Sequence, residues 1–171
     1  MSTNRASGLL LHITSLPGRY GIGDLGPEAY RFADFLSESG QKMWQGLPVV
    51  PVGYGYSPYA SPSTFAGNAL FISPDHLLEL GLLQGEDVQS VPSFSEVEVD
   101  FNRVIPFKVQ LLQKAWNTFR KGSFLDMSVA FSAFQKRHAH WLNDYALFES
   151  IKQAHEEVQW TEWPVSLRDR D

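Results

Sequence analysis

The sequence predicts an α/β fold, because a strand, a helix and a second strand follow one another in its first third. Residues 8–13, Gly-Leu-Leu-Leu-His-Ile, form an apolar run typical of a strand buried on both faces of a parallel sheet. Pro27 suits the first turn of a helix, and Gly40 suits the position just after its end. Residues 42–50 indicate a second buried strand, and such a crossover usually joins parallel strands.

Beyond the second strand the pattern predicts short and mainly helical elements. Residues 69–73 indicate a brief extended piece, residues 74–83 a short helix, and residues 84–105 a partly exposed segment. Helical periodicity starts at Pro106 and returns over about 126–153. The apolar helix faces are predicted to contain Ala29, Phe32, Ala33 and Leu36, then Leu112, Ala115, Trp116 and Phe119, then Phe134, Trp141, Tyr145 and Phe148.

The composition is that of a globular protein without a nucleic-acid or membrane partner. The chain has 171 residues, of which 43% are hydrophobic and 19% charged, so it can bury a core. Its 14 basic and 19 acidic residues give a net charge of −5, which disfavours binding to nucleic acid or an anionic membrane. The chain has no cysteine, which excludes thiolate metal sites and a thiol nucleophile. Its start lacks the apolar core of a signal peptide, so we expect a cytoplasmic protein.

Residues 53–68, here called the aromatic loop, carry the most informative pattern. This stretch, Gly-Tyr-Gly-Tyr-Ser-Pro-Tyr-Ala-Ser-Pro-Ser-Thr-Phe-Ala-Gly-Asn, has four aromatic residues and no charge. Its prolines and glycines exclude a helix or a central strand. A neutral, aromatic and hydroxyl-rich loop suits a neutral, hydroxyl-rich ligand, and a sugar is the prediction.

A glycine pattern offers a nucleotide-binding alternative. Gly21, Gly23 and Gly26 match the spacing of dinucleotide-binding loops, and a helix follows directly. However, residues 14–20 separate the pattern from the first strand, and no acidic residue stands where the next strand should provide one. A glycine-rich loop between strand and helix is therefore favoured.

No metal site or catalytic pair is predicted. His138 and His140 are two positions apart and face different sides of a helix, so they are predicted to be exposed. His12, inside the first apolar strand, is predicted to be a hydrogen-bonded core residue, with contact to substrate as the alternative. Retaining glycosidases need two carboxylates about 5 Å apart, and no such pair is evident. Capping or solvation is predicted for Asp24, Glu28, Asp34, Glu38, Asp75 and Glu79.

Three segments together resemble a known family. They are residues 8–26, residues 44–48 (Trp-Gln-Gly-Leu-Pro) and the aromatic loop, and residues 141–148 and 160–164 add to the match. The chain resembles the N-terminal part of the 4-α-glucanotransferases, also called amylomaltases or disproportionating enzymes, of glycoside hydrolase family 77. The resemblance covers nearly the whole chain.

This resemblance implies the N-terminal part of a (β/α)₈ TIM barrel with an inserted, mainly helical subdomain, incomplete in this chain. Residues 1–83 would form the first βαβ part with the aromatic loop, and residues 84–171 the inserted subdomain. The family transfers 1,4-α-glucan segments between maltooligosaccharides by a retaining double displacement, without a cofactor. Its three catalytic carboxylates lie downstream of the matched region, so the chain alone is expected to be inactive.

The resemblance also assigns substrate-binding residues within the aromatic loop. Tyr59 matches the tyrosine that contacts the sugar beside the scissile bond, and Ser57 matches a position near the cleavage point. Tyr54 matches a remote glucan-binding surface of some members, whereas Asn68 is expected to fix the loop. The partner would be a maltooligosaccharide or a glucan of the starch or glycogen type.

Two residues depart from the family pattern. Gly46 stands where a β-branched residue is usual, which is expected to loosen the second strand. Tyr56 stands where Asp or Asn is usual, which is expected to alter the polarity of the loop. A non-catalytic glucan-binding module is the second hypothesis for this chain, and a nucleotide-binding α/β domain is the third.

Overall fold

The computed structural model describes residues 5–169 and divides the chain into two compact units, one ending at Ser123 and one beginning at Phe124. The first unit contains β1 (Gly8–Leu10), α1 (Pro27–Glu38), β2 (Met43–Gln45), α2 (Pro74–Glu79) and α3 (Phe101–Lys121). The second contains α4 (Leu125–Arg137), α5 (Ala139–Ala154) and α6 (Val165–Arg168). The fold is mixed α/β and mostly helical. Residues 84–123 group with the first unit, so the boundary between the units differs from the boundary at residue 83 that the resemblance implied. The barrel and its inserted subdomain stay predictions.

The two strands pair in parallel, which confirms the strand, helix and strand pattern. Leu9 lies opposite Trp44 in the register. The indole Nε1 of Trp44 donates a hydrogen bond of 2.7 Å to the carbonyl of Leu11, just after β1. Each strand has three residues, so the regular pairing is shorter than the apolar runs suggested.

The predicted burial of the first strand on both faces is wrong for the described residues. All three residues of β1 are exposed, and Leu10 is 63% exposed. A parallel strand becomes buried only when other layers cover both of its faces. Within residues 5–169 the sheet has two strands, and α1 packs against β2. Burial in this run is limited to its end, where Ile13 is buried and Leu11 and His12 are half-buried.

The ends of α1 follow the local signals in the sequence. Pro27 is its first residue, where the missing N–H costs no hydrogen bond. Gly40 has φ of +73° just after the helix and donates to the carbonyl of Ser37 at 3.0 Å. Of the predicted apolar face, Ala29 and Leu36 are buried, Phe32 is half-buried and Ala33 is exposed.

The third helix begins earlier and faces differently than predicted. It starts at Phe101 rather than Pro106, which lies inside the helix. Its buried residues are Val104, Lys108, Leu111 and Ala115. Of the predicted face, Ala115 is buried, Leu112 and Phe119 are half-buried, and Trp116 is 44% exposed. Lys108 accounts for the error in the buried face, because a lysine in the middle of the buried stripe hides its apolar periodicity.

Two further predictions about local structure are wrong. Residues Ala69–Phe71 form a 3-10 turn and not an extended piece, because the side chain of Asn68 accepts a hydrogen bond from the Leu70 N–H and starts the turn. The predicted single helical stretch over 126–153 is two helices, because His138 leaves the helical conformation, with φ of −106° and ψ of 11°.

The second unit has a thin core. Neither α4 nor α5 contains a fully buried residue. Trp163 is 7% exposed, and its ring lies 5.4 Å from that of Phe148. Of the stripe predicted to face a core, Phe134 is exposed and Trp141, Tyr145 and Phe148 are half-buried. No helix within residues 5–169 is both long and apolar enough to cross a bilayer.

A network of polar side chains joins the loop after β1 to α2. The hydroxyl of Tyr20, which is 2% exposed, donates to Oδ1 of Asp75 at 2.6 Å. Arg19 donates to the same oxygen at 2.7 Å. Burial by itself would raise the pKa of Asp75, but the hydrogen bonds from Tyr20 and Arg19 outweigh it and hold the pKa below its ordinary value.

This network predicts a loss of stability in acid. Because the pKa of Asp75 is lowered in the folded state, its contribution to stability is complete above about pH 4 and is lost as the pH falls through the lowered value. We expect Asp75→Asn to be less stable at neutral pH, and its free energy of unfolding to fall less steeply in acid than that of the parent chain. Asp34→Asn, on the exposed side of α1, is the control. Urea denaturation between pH 2 and pH 6 measures the effect, and parallel curves for Asp75→Asn and the parent would contradict it.

Candidate functional site

The aromatic loop closes on itself through backbone hydrogen bonds. It contains two 3-10 turns, Tyr54–Tyr56 and Pro58–Ala60. The N–H of Gly53 donates to the carbonyl of Ser57 at 3.1 Å. A Cβ atom on Gly53 would lie 1.7 Å from the carbonyl oxygen of Ala60. The two arms of the loop therefore approach closely enough that only glycine fits at this position.

The serine hydroxyls shape the loop. Oγ of Ser57 accepts a hydrogen bond from the Tyr59 N–H at 3.2 Å and starts the second turn. Oγ of Ser63 accepts from the N–H groups of Phe65 and Ala66 at 3.2 and 3.1 Å. Part of the hydroxyl content that suggested a sugar ligand thus serves the backbone. Contact between Ser57 and a glucan stays a prediction.

The loop presents two tyrosines to solvent. Tyr54 is 94% exposed and Tyr59 is 74% exposed. A tyrosine ring offers an apolar face to sugar C–H groups, and its hydroxyl can donate and accept a hydrogen bond. Both side chains suit contact with a carbohydrate, and such contact stays a prediction.

Tyr56 differs from these two tyrosines. Its ring stacks on that of Phe101, the first residue of α3, with centroids 4.5 Å apart and planes 12° apart. Its hydroxyl donates to Oδ1 of Asn102 at 2.7 Å. Sequence reasoning identified Tyr56 as unusual, but it did not find these contacts.

Asn68 fixes the end of the loop. It is 8% exposed, and its N–H donates to the carbonyl of Val49 at 2.9 Å. Its Oδ1 accepts from the Leu70 N–H at 2.9 Å, while its Nδ2 is buried without a hydrogen-bond partner among the described residues. The loop is thus tied to the segment after β2.

A buried lysine, which sequence reasoning missed, joins the loop after β1 to the turn that follows the aromatic loop. Lys108 on α3 is 0% exposed, and its Nζ donates to Oδ2 of Asp24 at 3.0 Å and to the carbonyl of Leu70 at 2.7 Å. Burial lowers the pKa of Lys108, and the charge of Asp24 opposes that shift. Asp24 was predicted to be capping or solvated, but its side chain is only 12% exposed and pairs with this lysine.

His12 has a hydrogen-bond partner, as predicted, although it is half-buried and not in the core. Its Nδ1 accepts from the Leu47 N–H at 3.2 Å, and its ring lies edge-on to Phe71. Burial lowers the pKa of His12, which favours the neutral ring that this hydrogen bond requires. The residue joins the end of β1 to the segment after β2.

The glycine pattern is explained by packing within the chain. A Cβ on Gly23 would lie 1.9 Å from the carbonyl oxygen of Ile13, and one on Gly26 would lie 2.3 Å from Oγ of Ser73. Gly21 has φ of +79° and lies against the ring of Phe94. These contacts account for each glycine without a nucleotide.

A cavity of about 860 Å³ lies elsewhere in the first unit. It is lined by the loop after β1, including Arg19, by Glu28 and by residues 94–99. Tyr54, Ser57 and Tyr59 do not line it. The candidate site is therefore an exposed surface of the aromatic loop, and we favour it over the cavity because its side chains match the chemistry of a sugar.

Comparison with known proteins establishes the family. The sequence model described as 4-alpha-glucanotransferase matches residues 11–171. The chain belongs to the 4-alpha-glucanotransferase family. It is 46% identical over 171 residues to the 4-alpha-glucanotransferase of Thermus thermophilus, covering all of this chain and 33% of that protein. The corresponding enzyme of Synechocystis is 42% identical, with all of this chain and 34% of that protein covered.

A solved structure agrees with this assignment. The amylomaltase of Streptococcus agalactiae, in complex with acarbose, matches with a TM-score of 0.86 and 38% identity. The match covers 94% of this chain and 32% of that one. The chain thus spans about a third of the length of the relatives that it matches.

No structural requirement for glycine is evident at Gly46. A Cβ at Gly46 would meet no atom within 4 Å. The residue follows the last residue of β2, Gln45. Its expected effect on the second strand is therefore limited to the conformational freedom that glycine adds to the unfolded chain.

Proposed function

We propose that this chain is the glucan-binding N-terminal part of a 4-α-glucanotransferase. The enzyme would transfer 1,4-α-glucan segments between maltooligosaccharides through a retaining double displacement. The observation that carries the proposal is the aromatic loop, which exposes Tyr54 and Tyr59 in a chain of the 4-alpha-glucanotransferase family. The complex of the Streptococcus agalactiae amylomaltase with acarbose supports a carbohydrate ligand.

A (β/α)₈ barrel would place this loop at the active site. The parallel pair of β1 and β2 with α1 between them is the repeating unit of such a barrel. Active sites of these barrels lie at the carboxyl ends of the strands, and the aromatic loop follows β2. A whole barrel needs about 250 residues, so this chain would contribute its first part, residues 1–83, and an inserted helical part, residues 84–171.

Within this site each predicted residue has a separate role. The ring and hydroxyl of Tyr59 would contact the sugar beside the scissile bond. Tyr54 is the most exposed of the three tyrosines in the aromatic loop, and it would hold a more distant part of the glucan. Ser57 would act near the cleavage point through the free capacity of its hydroxyl, since its Oγ already accepts the Tyr59 N–H.

We propose no catalytic residue in this chain. A retaining reaction needs a nucleophile and an acid/base carboxylate about 5 Å apart. Three of the six carboxylates considered have other partners, since Asp24 pairs with Lys108, Asp75 with Arg19 and Glu28 with Arg31. The reacting carboxylates would belong to polypeptide outside these 171 residues. A cytoplasmic location also stays a prediction.

Binding to amylose tests the proposal. We expect the chain to migrate more slowly in native gels that contain amylose, because the tyrosine rings stack on the sugar. Tyr59→Ala and Tyr54→Ala should each weaken binding about two- to tenfold, the range of a single aromatic contact. Tyr30→Ala, which removes an exposed tyrosine on α1, is the matched control and should migrate like the parent. Unchanged mobility of the parent chain in amylose would contradict the proposal.

An activity assay of the same chain tests whether it can catalyse transfer by itself. Incubation with maltotriose is expected to release no glucose above a mock preparation, because the carboxylate pair is missing. Amylose binding without turnover would also fit the second hypothesis, a non-catalytic glucan-binding module. Release of glucose and longer glucans would show that the reacting carboxylates are in this chain after all.

A further inference from the structure

One of the three loop tyrosines packs against the protein and is less exposed than the other two. Tyr56 is 38% exposed, whereas Tyr54 and Tyr59 are 94% and 74% exposed. Its ring lies nearly parallel to Phe101 at 4.5 Å, and its hydroxyl donates to Asn102 at 2.7 Å. Both partners stand in the first turn of α3. Tyr56 therefore joins the tip of the aromatic loop to that helix.

The backbone at the tip is in a conformation that tyrosine rarely adopts. Tyr56 has φ of +58°, and the preceding Gly55 has φ of +64°. A non-glycine residue in the left-handed region is unfavourable and persists only where its surroundings hold it. The side chain of Tyr56 is held by the stack on Phe101 and the hydrogen bond to Asn102, and its N–H donates to the carbonyl of Gly53 at 2.9 Å.

The helix that receives Tyr56 is itself firmly packed. Val104 and Lys108 of α3 are both 0% exposed. Lys108 also binds the carbonyl of Leu70, close to the end of the aromatic loop. The helix α3 thus contacts the aromatic loop through Tyr56 and the turn that follows the loop through Lys108.

We propose that Tyr56 is a positioning residue that holds the tip of the aromatic loop on α3, so that Tyr54 and Tyr59 meet an α-glucan in one fixed arrangement. The inference rests on the proposed function for its ligand. A loop ordered before binding loses less conformational entropy when the ligand binds, and so it binds more tightly. Loosening Tyr56 should weaken glucan binding although Tyr54 and Tyr59 are intact.

Hydrogen exchange of the loop amides tests the positioning itself. The variants are Tyr56→Asn, which tolerates the left-handed backbone but lacks the ring, Tyr56→Phe, which keeps the ring, and Phe101→Leu, which removes the stacking partner. We expect exchange at residues 54–60 to rise about two- to tenfold in Tyr56→Asn and Phe101→Leu, and less in Tyr56→Phe. Exchange in the buried turns of α3 should stay the same. Equal exchange in the loop of the parent and of Tyr56→Asn would overturn the proposal.

Retardation by amylose tests the consequence for the ligand. Phe101→Leu keeps all three tyrosines, so weaker binding by this variant, of the same order as in Tyr56→Asn, supports positioning. Variants with a loosened loop and parental affinity would overturn the positioning role. If neither the parent chain nor Tyr59→Ala binds amylose, the proposed function fails. The hydrogen-exchange measurement then still decides whether Tyr56 holds the loop.

Discussion

Lys108→Met is expected to lower the free energy of unfolding of the first unit by about 3–5 kcal/mol, the cost of breaking a buried ion pair from one side. The substitution would leave the Asp24 carboxylate, 12% exposed, without its cation, and the buried Leu70 carbonyl without its donor. Since a domain of this size is stable by only about 5–15 kcal/mol, the variant would lose a large part of its stability.

Lys114 provides the matched control on the same helix. Its ion pair with Asp87 is exposed, with 46% of the lysine side chain accessible, so Lys114→Met should cost less than about 1 kcal/mol. The double variant Asp24→Asn/Lys108→Met should recover part of the loss, because replacing a whole buried pair costs much less than removing one partner. Native-state hydrogen exchange of α3 measures all three. Similar losses for Lys108→Met and Lys114→Met would contradict the importance of the buried pair.

Gly53→Ala is expected to rebuild the aromatic loop and to abolish most binding to amylose. The new Cβ would lie 1.7 Å from the oxygen and 2.7 Å from the carbon of the Ala60 carbonyl, so the backbone itself must move. Overpacking of this kind costs about 1–3 kcal/mol or more, and the displaced arm carries Tyr59.

Gly46→Ala is the control for Gly53→Ala. Its Cβ would meet open space, and we expect a gain of about 0.4–1 kcal/mol from the reduced freedom of the unfolded chain. Thermal denaturation and migration in amylose gels compare the two variants. If Gly53→Ala melted and bound as Gly46→Ala does, the close approach within the loop would not matter for its function.

The parts of the fold that were predicted correctly depend on local signals. Pro27 and Gly40 mark the ends of α1 by their own backbone preferences, and the helix between two apolar runs was enough to predict parallel strands. Pro106 misled the prediction of α3 because proline favours a first helical turn, whereas here it lies inside the helix. The packing of Val104 and its neighbours outweighs the hydrogen bond that proline cannot make.

The residues of the candidate site could be predicted from the sequence, but the contacts that hold the surrounding loops in place could not. The aromatic loop follows from an uncharged stretch broken by glycine and proline, and Tyr54 and Tyr59 are its most exposed tyrosines. The pair of Lys108 and Asp24 joins residues 84 positions apart, and no local pattern encodes such a contact. A lysine on a helix usually faces solvent, so its burial could not be predicted from sequence.

Tyr56 shows how a residue that disfavours the left-handed backbone can still occupy such a position in a loop. The resemblance implies Asp or Asn at this position, and both residues tolerate the left-handed backbone well. Tyrosine does not, and the φ of +58° is instead offset by the contacts with Phe101 and Asn102. The departure was visible in the sequence, but its compensation by α3 was not.

The aromatic loop, from Gly53 to Asn68, has no charged side chain. Counterions screen attraction between charges, and here the loop offers no charge to screen. Encounter with an uncharged ligand would therefore proceed by plain diffusion, without electrostatic steering. The affinity of such a surface would be nearly independent of ionic strength, so its occupancy would follow ligand concentration and not the electrolyte content of the surroundings.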